Sequence, residues 1–395
     1  MSEKRIVTAL YSWVQGSFWM SFCVSVSFAA VYLQGLGYDN TTLGLILACG
    51  NLLGALLGPA LSSLVDRKQT VSAARLIPAL LFMQALCLAL LLSFPKRCAV
   101  TALAYVAFIA FSLSVNSMNL KLYVDFSYRG MTINYGLTRG MGSLAFVLLS
   151  MLLGVLTERL SVRILPIAGL ALTLLQFTAH LCLCRHLPPE GDGERMQRET
   201  GSVFAFLRAH RRFVVLLAGT ALVFFAHNTV SSFLINITRA VGGSTEDMGY
   251  INSFMAAVEI PVMLLFTSLF GRRRISSLLR AAFCFFVLKT AAVALAPSVP
   301  ALYAAFLLQA PSFALYTAAI VPYTAQMIDY ADAAKAQSLA FSMTTLGSVL
   351  ASLISGWLLD RVSVAATLGI AVGVCILGAA IACLGVADGR KSREK

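Results

Sequence analysis

The feature that most restricts this chain is its succession of long apolar runs. Residues 41–65, 72–94, 140–156 and 362–387 are each close to or above the length an α-helix needs to cross a bilayer, roughly 20 residues. Twelve such runs can be drawn, at about 6–34, 41–65, 72–94, 99–122, 136–157, 163–184, 211–238, 247–270, 276–297, 300–323, 336–358 and 362–386. They occupy nearly the whole chain and leave no room for a soluble domain. Only 12% of residues are charged, against about a quarter in an ordinary soluble domain. The expected fold is therefore all-α and integral to the membrane, with twelve transmembrane helices.

One long polar connection, about 186–209, interrupts this pattern with Pro188, Pro189, Gly191 and Gly193. Such a composition reads as a flexible linker. It divides the chain into a six-helix bundle (1–185), a cytoplasmic linker (186–210) and a second six-helix bundle with a short cytoplasmic tail (211–395). The halves look like repeats at an offset of 205 residues: Arg67 meets Arg272, Arg75 meets Arg280, Pro95 meets Pro300, and Gly142-Ser143 meets Gly347-Ser348. Two pseudo-symmetric bundles around a central site are a common plan for secondary carriers. The net charge of +13 does not call for a nucleic-acid partner. With both termini cytoplasmic, Lys and Arg fall mainly on inner loops and tails. The exceptions outside are Lys96, Arg97, Arg159, Arg163, Arg239 and Arg361. That is the positive-inside bias of a multi-pass protein in an inner or plasma membrane. After Lys4 and Arg5 the first apolar stretch continues to about Leu36, too long for a signal-peptide core, so it is expected to be the first membrane helix.

Ionisable groups inside such helices are costly and point to function. Three stand near mid-helix: His227, Glu259 and Lys289. Glu259 is the carboxylate farthest from any helix end, flanked by Val258 and Ile260. Burial favours its protonated form and a nearby cation its charged form, so it is the expected proton-coupling residue. Lys289 is its natural counter-ion or an anchor for an anionic solute, and His227 a proton relay or polar contact. A polar and aromatic set surrounds them as expected solute contacts: Gln15, Trp19, Asn116, Asn228, Asn252, Gln309, Tyr316 and Thr344. Gln15 and Trp19 share a helix face, as do Asn252 and Glu259. Gly50, Gly54, Gly58 and Ser62 form a small-residue stripe on helix 2, the pattern that lets membrane helices pack closely. Gly347, Ala351 and Ser355 form a similar stripe on helix 11, which makes helix 11 the expected partner of helix 2 across the two halves.

The helix 2–3 loop carries Ser62, Asp66, Arg67, Lys68, Gln69 and Thr70. Elsewhere stand Tyr135-Gly136-x-x-Arg139-x-x-Gly142-Ser143, Glu259-Ile260-Pro261, Leu308-Gln309-x-x-Ser312-Phe313-Ala314-Leu315 and Gly356-Trp357-Leu358-Leu359-Asp360. In these segments the chain resembles the major facilitator superfamily. It is most similar to the lactose-permease-like and phenylpropionate- or nucleoside-permease-like proton symporters. The acid and basic pair of the superfamily's helix 2–3 loop are present, while both of its glycines are replaced. The resemblance implies gating by Asp66 and Arg67, with Asp125, Arg129 and Arg139 as nearby partners. It also implies alternating access, with a small-molecule substrate and protons as ligands, and a chain that works as a monomer in the bilayer.

Other classes fit poorly. The sequence has no Gly-x-x-x-x-Gly-Lys-[Ser/Thr] loop, no HExxH pattern and no Cys/His ligand spacing among its nine cysteines. A primary pump, a membrane-embedded enzyme, a bound cofactor and a metal site are therefore not expected. A channel and a non-transporting sensor of the carrier fold stay open. Among carriers, exporters of the superfamily the chain resembles often have a Gly-Pro motif in helix 5. This chain lacks one, which favours a solute:proton symporter over a proton-coupled exporter. A nucleoside, a small glycoside and an aromatic acid all stay open as solutes.

Overall fold

The computed structural model describes residues 3–67, 72–188, 203–271 and 273–387. Twelve spans account for the fold among these residues. They are α1 (Glu3–Ser27 with Ala29–Gly35), α2 (Asn40–Arg67), α3 (Ala73–Ser93), α4 (Ala99–Tyr128), α5 (Tyr135–Arg159) and α6 (Ile164–Cys184). After a short helix at Val203–Ala209 come α7 (Arg211–Ser232, continued by Leu234–Ala240), α8 (Thr245–Phe270), α9 (Ile275–Ala294), α10 (Val299–Met327), α11 (Tyr330–Arg361) and α12 (Val364–Gly385). The expected spans hold throughout. Because the number of crossings is even, α1 begins and α12 ends on one face, called here the terminal face.

Two helices carry irregular turns. α1 bends by 46° at a π-turn, Cys23–Ser27, followed by Phe28. α10 passes through a 3₁₀ turn, Leu307–Gln309, and a π-turn, Ala310–Ala314. Pro311 lies inside that π-turn and lacks the N–H that a regular helix would use. The repeat seen in the sequence recurs in the backbone. Phe28 in α1 and Phe233 in α7 break their helices 205 positions apart. Gly37 and Gly242, at the same offset, both adopt left-handed φ, 85° and 83°, a conformation that glycine enters without steric cost.

Within the first half α1 packs on α5 and α6, and α4 on α2 and α3; within the second α7 packs on α11 and α12, and α9 on α10 and α12. The halves meet along two seams, α2 against α11 and α5 against α8. Both seams close at the face opposite the termini. At Gly44 of α2 a side chain would strike the Ser352 carbonyl, and Gly356 in turn faces the Asn40 carbonyl. On the other seam Gly249 of α8 lies against Gly154 of α5. Gly44 and Gly249 are again 205 apart, so one close approach is used twice.

α2 and α11 do meet across the halves, as expected, but the small-residue stripes pack elsewhere. Gly50, Gly54 and Gly58 face Ile109, Leu113 and Ser117 of α4, within their own half, and Gly347 faces Ala221 and Phe224 of α7. Ser355 bonds Thr229 of α7 at 2.7 Å. The seam between halves needs only one end of α2, around Gly44. The stripe lies farther along the helix, where its shallow groove accepts the ridge of α4. Ser62 is half-buried on the same helix.

Candidate functional site

Glu259, Lys289, His227 and Gln309 come together from four helices, α8, α9, α7 and α10. Glu259 lies fourteen residues along α8 from Thr245, roughly 21 Å of helix rise, and so near mid-membrane. Lys289 Nζ donates to Gln309 Oε1 at 2.9 Å and to His227 Nδ1 at 2.9 Å. Gln309 Nε2 donates to Glu259 Oε1 at 2.7 Å. The amide has one workable orientation: reversing it would set NH2 against ammonium and carbonyl against carboxylate. His227, accepting at Nδ1, is the neutral tautomer with its proton on Nε2. Its ring stacks on Phe313 at 4.9 Å, and Phe286 lies 4.8 Å from the Lys289 ammonium.

Burial is graded along this chain. Lys289 is 0% exposed, Gln309 2% and His227 7%, whereas Glu259 is partly accessible. The acid is the more accessible end and the ammonium the sealed end. Lys289 and Glu259 are thus joined through an amide: the 3₁₀ turn ending at Gln309 inserts its side chain between the two charges.

In the first half, Arg139 lies over the Trp19 ring at 4.0 Å and donates to Ser143 Oγ at 2.8 Å. Gly142 makes this possible, because a Cβ there would fall 2.5 Å from Trp19 Cδ1. The segment Arg139-x-x-Gly142-Ser143 is thus a cradle that holds a guanidinium on an indole. Arg139 and Glu259 lie within reach of each other's charge. Arg139 is therefore placed beside this central group, while its expected partners in the helix 2–3 loop, Asp66 and Arg67, have side chains outside the described residues. It lies one turn inside α5, on the face turned to α1.

The remaining expected residues are distributed as follows. Gln15 is buried and donates to Tyr11 OH at 3.3 Å. Tyr316 is buried among Phe224, Phe283 and Phe286. Asn252 donates to Ser150 Oγ at 3.0 Å across the α5–α8 seam. Asn228 and Thr344 bond carbonyls of their own helices, Phe224 and Phe341. Asn116 is exposed, whereas Asn119, three residues on, is buried. No hydrogen bond among the described residues joins Asn116, Asn228, Asn252 or Thr344 to the Glu259 chain. Asp125 is buried and Arg129 bonds the Pro188 carbonyl. The side chains of Asp66 and Arg67 lie outside the described residues. A cavity of about 480 Å³ opens at the terminal face near Lys4, Arg5 and Asn134, away from the central chain of bonds.

Sequence reasoning missed the polar groups that tie the halves at the far face. Gln34 donates to Asn236 Oδ1 at 2.7 Å and to Asn40 Oδ1 at 2.9 Å. Asp360 accepts from Asn40 N, Asn40 Nδ2, Thr41 N and Thr41 Oγ1 at 2.6–3.1 Å. Glu158 accepts from Thr245 N at 3.0 Å. A signal was present: Glu158 and Asp360 occupy the last turns of α5 and α11, where an acid is unfavourable to its own helix dipole.

Twelve spans in two packed halves, holding a hydrogen-bonded charged chain at mid-depth, have the architecture of a membrane transporter. Residues 17–369 match the family model described as "MFS_1 like family", and the chain belongs to that family. It is 28% identical over 260 residues to a protein of Escherichia coli (strain K12) named "Probable 3-phenylpropionic acid transporter". That match spans 65% of this chain and 66% of the relative's length. The fold is similar to that of a nucleoside transporter, NupG, solved in a mutant form (TM-score 0.80, 15% identity, 96% of this chain and 99% of that one). It is also similar to a bacterial homologue of the lysosomal transporter Spinster, solved inward-facing and unoccupied (TM-score 0.73, 12% identity, 98% and 97%).

Proposed function

We propose that the protein is a solute:proton symporter of the inner membrane, with both termini cytoplasmic. Residues 1–185 and 211–395 rock about the central cleft, and the solute is a small organic anion with an aromatic part. The observation that carries this reading is the arrangement of a partly accessible Glu259 bonded through Gln309 to a sealed Lys289, facing Arg139 on Trp19.

The chemistry follows from competition for one cation. With Glu259 ionised, its charge and that of Arg139 attract across the cleft. A proton on Glu259 removes that attraction and frees Arg139 for a carboxylate from solution, which the guanidinium receives as a fork. Trp19, already stacked on the guanidinium, offers an aromatic wall. Anion and proton then enter together, so loading adds no net charge to the cleft and no extra charge has to be moved through a low-dielectric passage. The name of the Escherichia coli relative supports an aromatic acid over a nucleoside or glycoside. Lys289 holds Gln309 in the orientation that keeps its amide on the acid, and His227 holds Lys289.

Glu259→Gln tests the proposal in proteoliposomes loaded with a panel of aryl carboxylates. The variant is expected to lose accumulation driven by a pH gradient while keeping counterflow exchange. Uphill uptake at the wild-type level would remove Glu259 from the coupling.

A further inference from the structure

Two carboxylates at the face opposite the termini share an arrangement that intrahelical chemistry does not explain. Glu158 and Asp360 each stand next to last in the final turn of their helix, before Arg159 and Arg361. There the partial negative end of the helix repels them. Each instead reaches over the seam to the N-terminus of a helix from the other half. Asp360 of α11 takes the first N–H groups of α2 at Asn40 and Thr41, with their side chains, at 2.6–3.1 Å. Glu158 of α5 takes the first N–H of α8 at Thr245, at 3.0 Å. The N-terminal end of a helix attracts an anion and has N–H groups free to bond it. Beneath each carboxylate lies a glycine contact, Gly44 with Gly356 and Gly249 with Gly154.

We propose that Asp360 and Glu158 are a paired latch that holds this face shut, each capping a helix of the opposite half. Asp360 is exposed, so water takes over its bonds when the seam parts. That keeps the latch weak enough to release in every transport cycle, and it makes the acids' cost to their own helices the source of the bias. Gln34, Asn40 and Asn236 are uncharged and add directional bonds between the two seams. The inference rests on reading the chain as a carrier whose far face opens.

The test measures that opening without any solute. Nitroxide labels go on Lys96→Cys and Leu295→Cys, exposed positions ahead of α4 and α10, with the native cysteines replaced. Electron–electron distance distributions are recorded in liposomes. Asp360→Asn and Glu158→Gln are each expected to raise the long-to-short population ratio by about threefold to tenfold. The double variant should show roughly the product. Glu246→Gln is the control: it removes a carboxylate of the same face that bonds Tyr250 of its own helix, and should leave the ratio unchanged. An unchanged ratio in either single variant overturns the paired latch, and so does an equal shift in the control. If Asp360→Asn does not yield folded protein, Thr41→Val removes one of its bonds and should shift the ratio in the same direction. Shifted distances in a protein that moves none of the solutes tested would leave the latch standing and sink the symporter reading.

Discussion

Gln309→Leu conserves volume while removing both ends of the bridge between Lys289 and Glu259. Each lost bond involves a charged partner and is worth about 1.5–3 kcal/mol. The Glu259 end is partly accessible, so water offsets most of its loss. The Lys289 end is fully buried, and the ammonium would keep His227 and the face of Phe286 among its described contacts. The destabilisation should therefore be about 3 kcal/mol, set by the stranded ammonium. Lys289→Met should cost about 1–3 kcal/mol, because it leaves the Gln309 carbonyl and His227 Nδ1 without their donor. In the double variant neither ammonium nor bridge is present. Its loss should fall short of the summed single losses by about 1–3 kcal/mol. Denaturant unfolding of the purified proteins in one detergent measures all three. A double variant whose loss equals the sum, within about 0.5 kcal/mol, would refute the view that burial of the ammonium dictates the bridge.

Three further outcomes follow from the geometry. Arg139→Lys keeps the charge but loses the guanidinium contact with the Trp19 ring and the fork; it should raise the KM for an aryl carboxylate about tenfold, equivalent to about 1.4 kcal/mol, with folding intact by thermal unfolding. Gly44→Ala sets a methyl group where the Ser352 carbonyl stands; it should push the α2–α11 seam apart and raise impermeant labelling of a cleft cysteine from the far face, and unchanged labelling would show that the seam yields elsewhere. Hydrogen bonds from the Thr42 amide, with Arg97 close by, hold the Asp39 carboxyl below its ordinary range. That depressed value stabilises the clip between the α1–α2 turn and Arg97 above the ordinary carboxylate range, and the effect is lost as pH falls through the depressed value; Asp39→Asn should flatten any acid-side loss of protection in hydrogen exchange of residues 36–42.

The spans were legible because a bilayer imposes one length and one composition on every crossing, and a repeat at offset 205 sets where corresponding turns fall. Glu259, Lys289 and His227 were legible as a group because ionisable residues are rare in hydrocarbon. What joins them was not. Gln309 is one amide among several in apolar runs, and its place between two charges depends on the irregular turns of α10, which local sequence marks only by Pro311. The partners of the small-residue stripes were illegible for a related reason. A glycine ladder announces a close neighbour without saying which one, and the ridge that fills it (Ile109, Leu113, Ser117) is ordinary in composition. Glu158 and Asp360 did break a local rule, being acids at the wrong end of a helix, and such conflicts tend to mark residues whose partner lies elsewhere in the fold.

The π-turn at Ala310–Ala314 has a mechanical consequence. Its register already departs from the regular helical ladder, so the portion of α10 beyond Pro311 can swivel with few main-chain bonds to break. Gln309 sits at that pivot with one hand on the acid and the other on the ammonium. Any swivel of the rod is thereby geared to the grip on Glu259, and the bonding of one side chain and movement of a whole helix become two readings of the same joint.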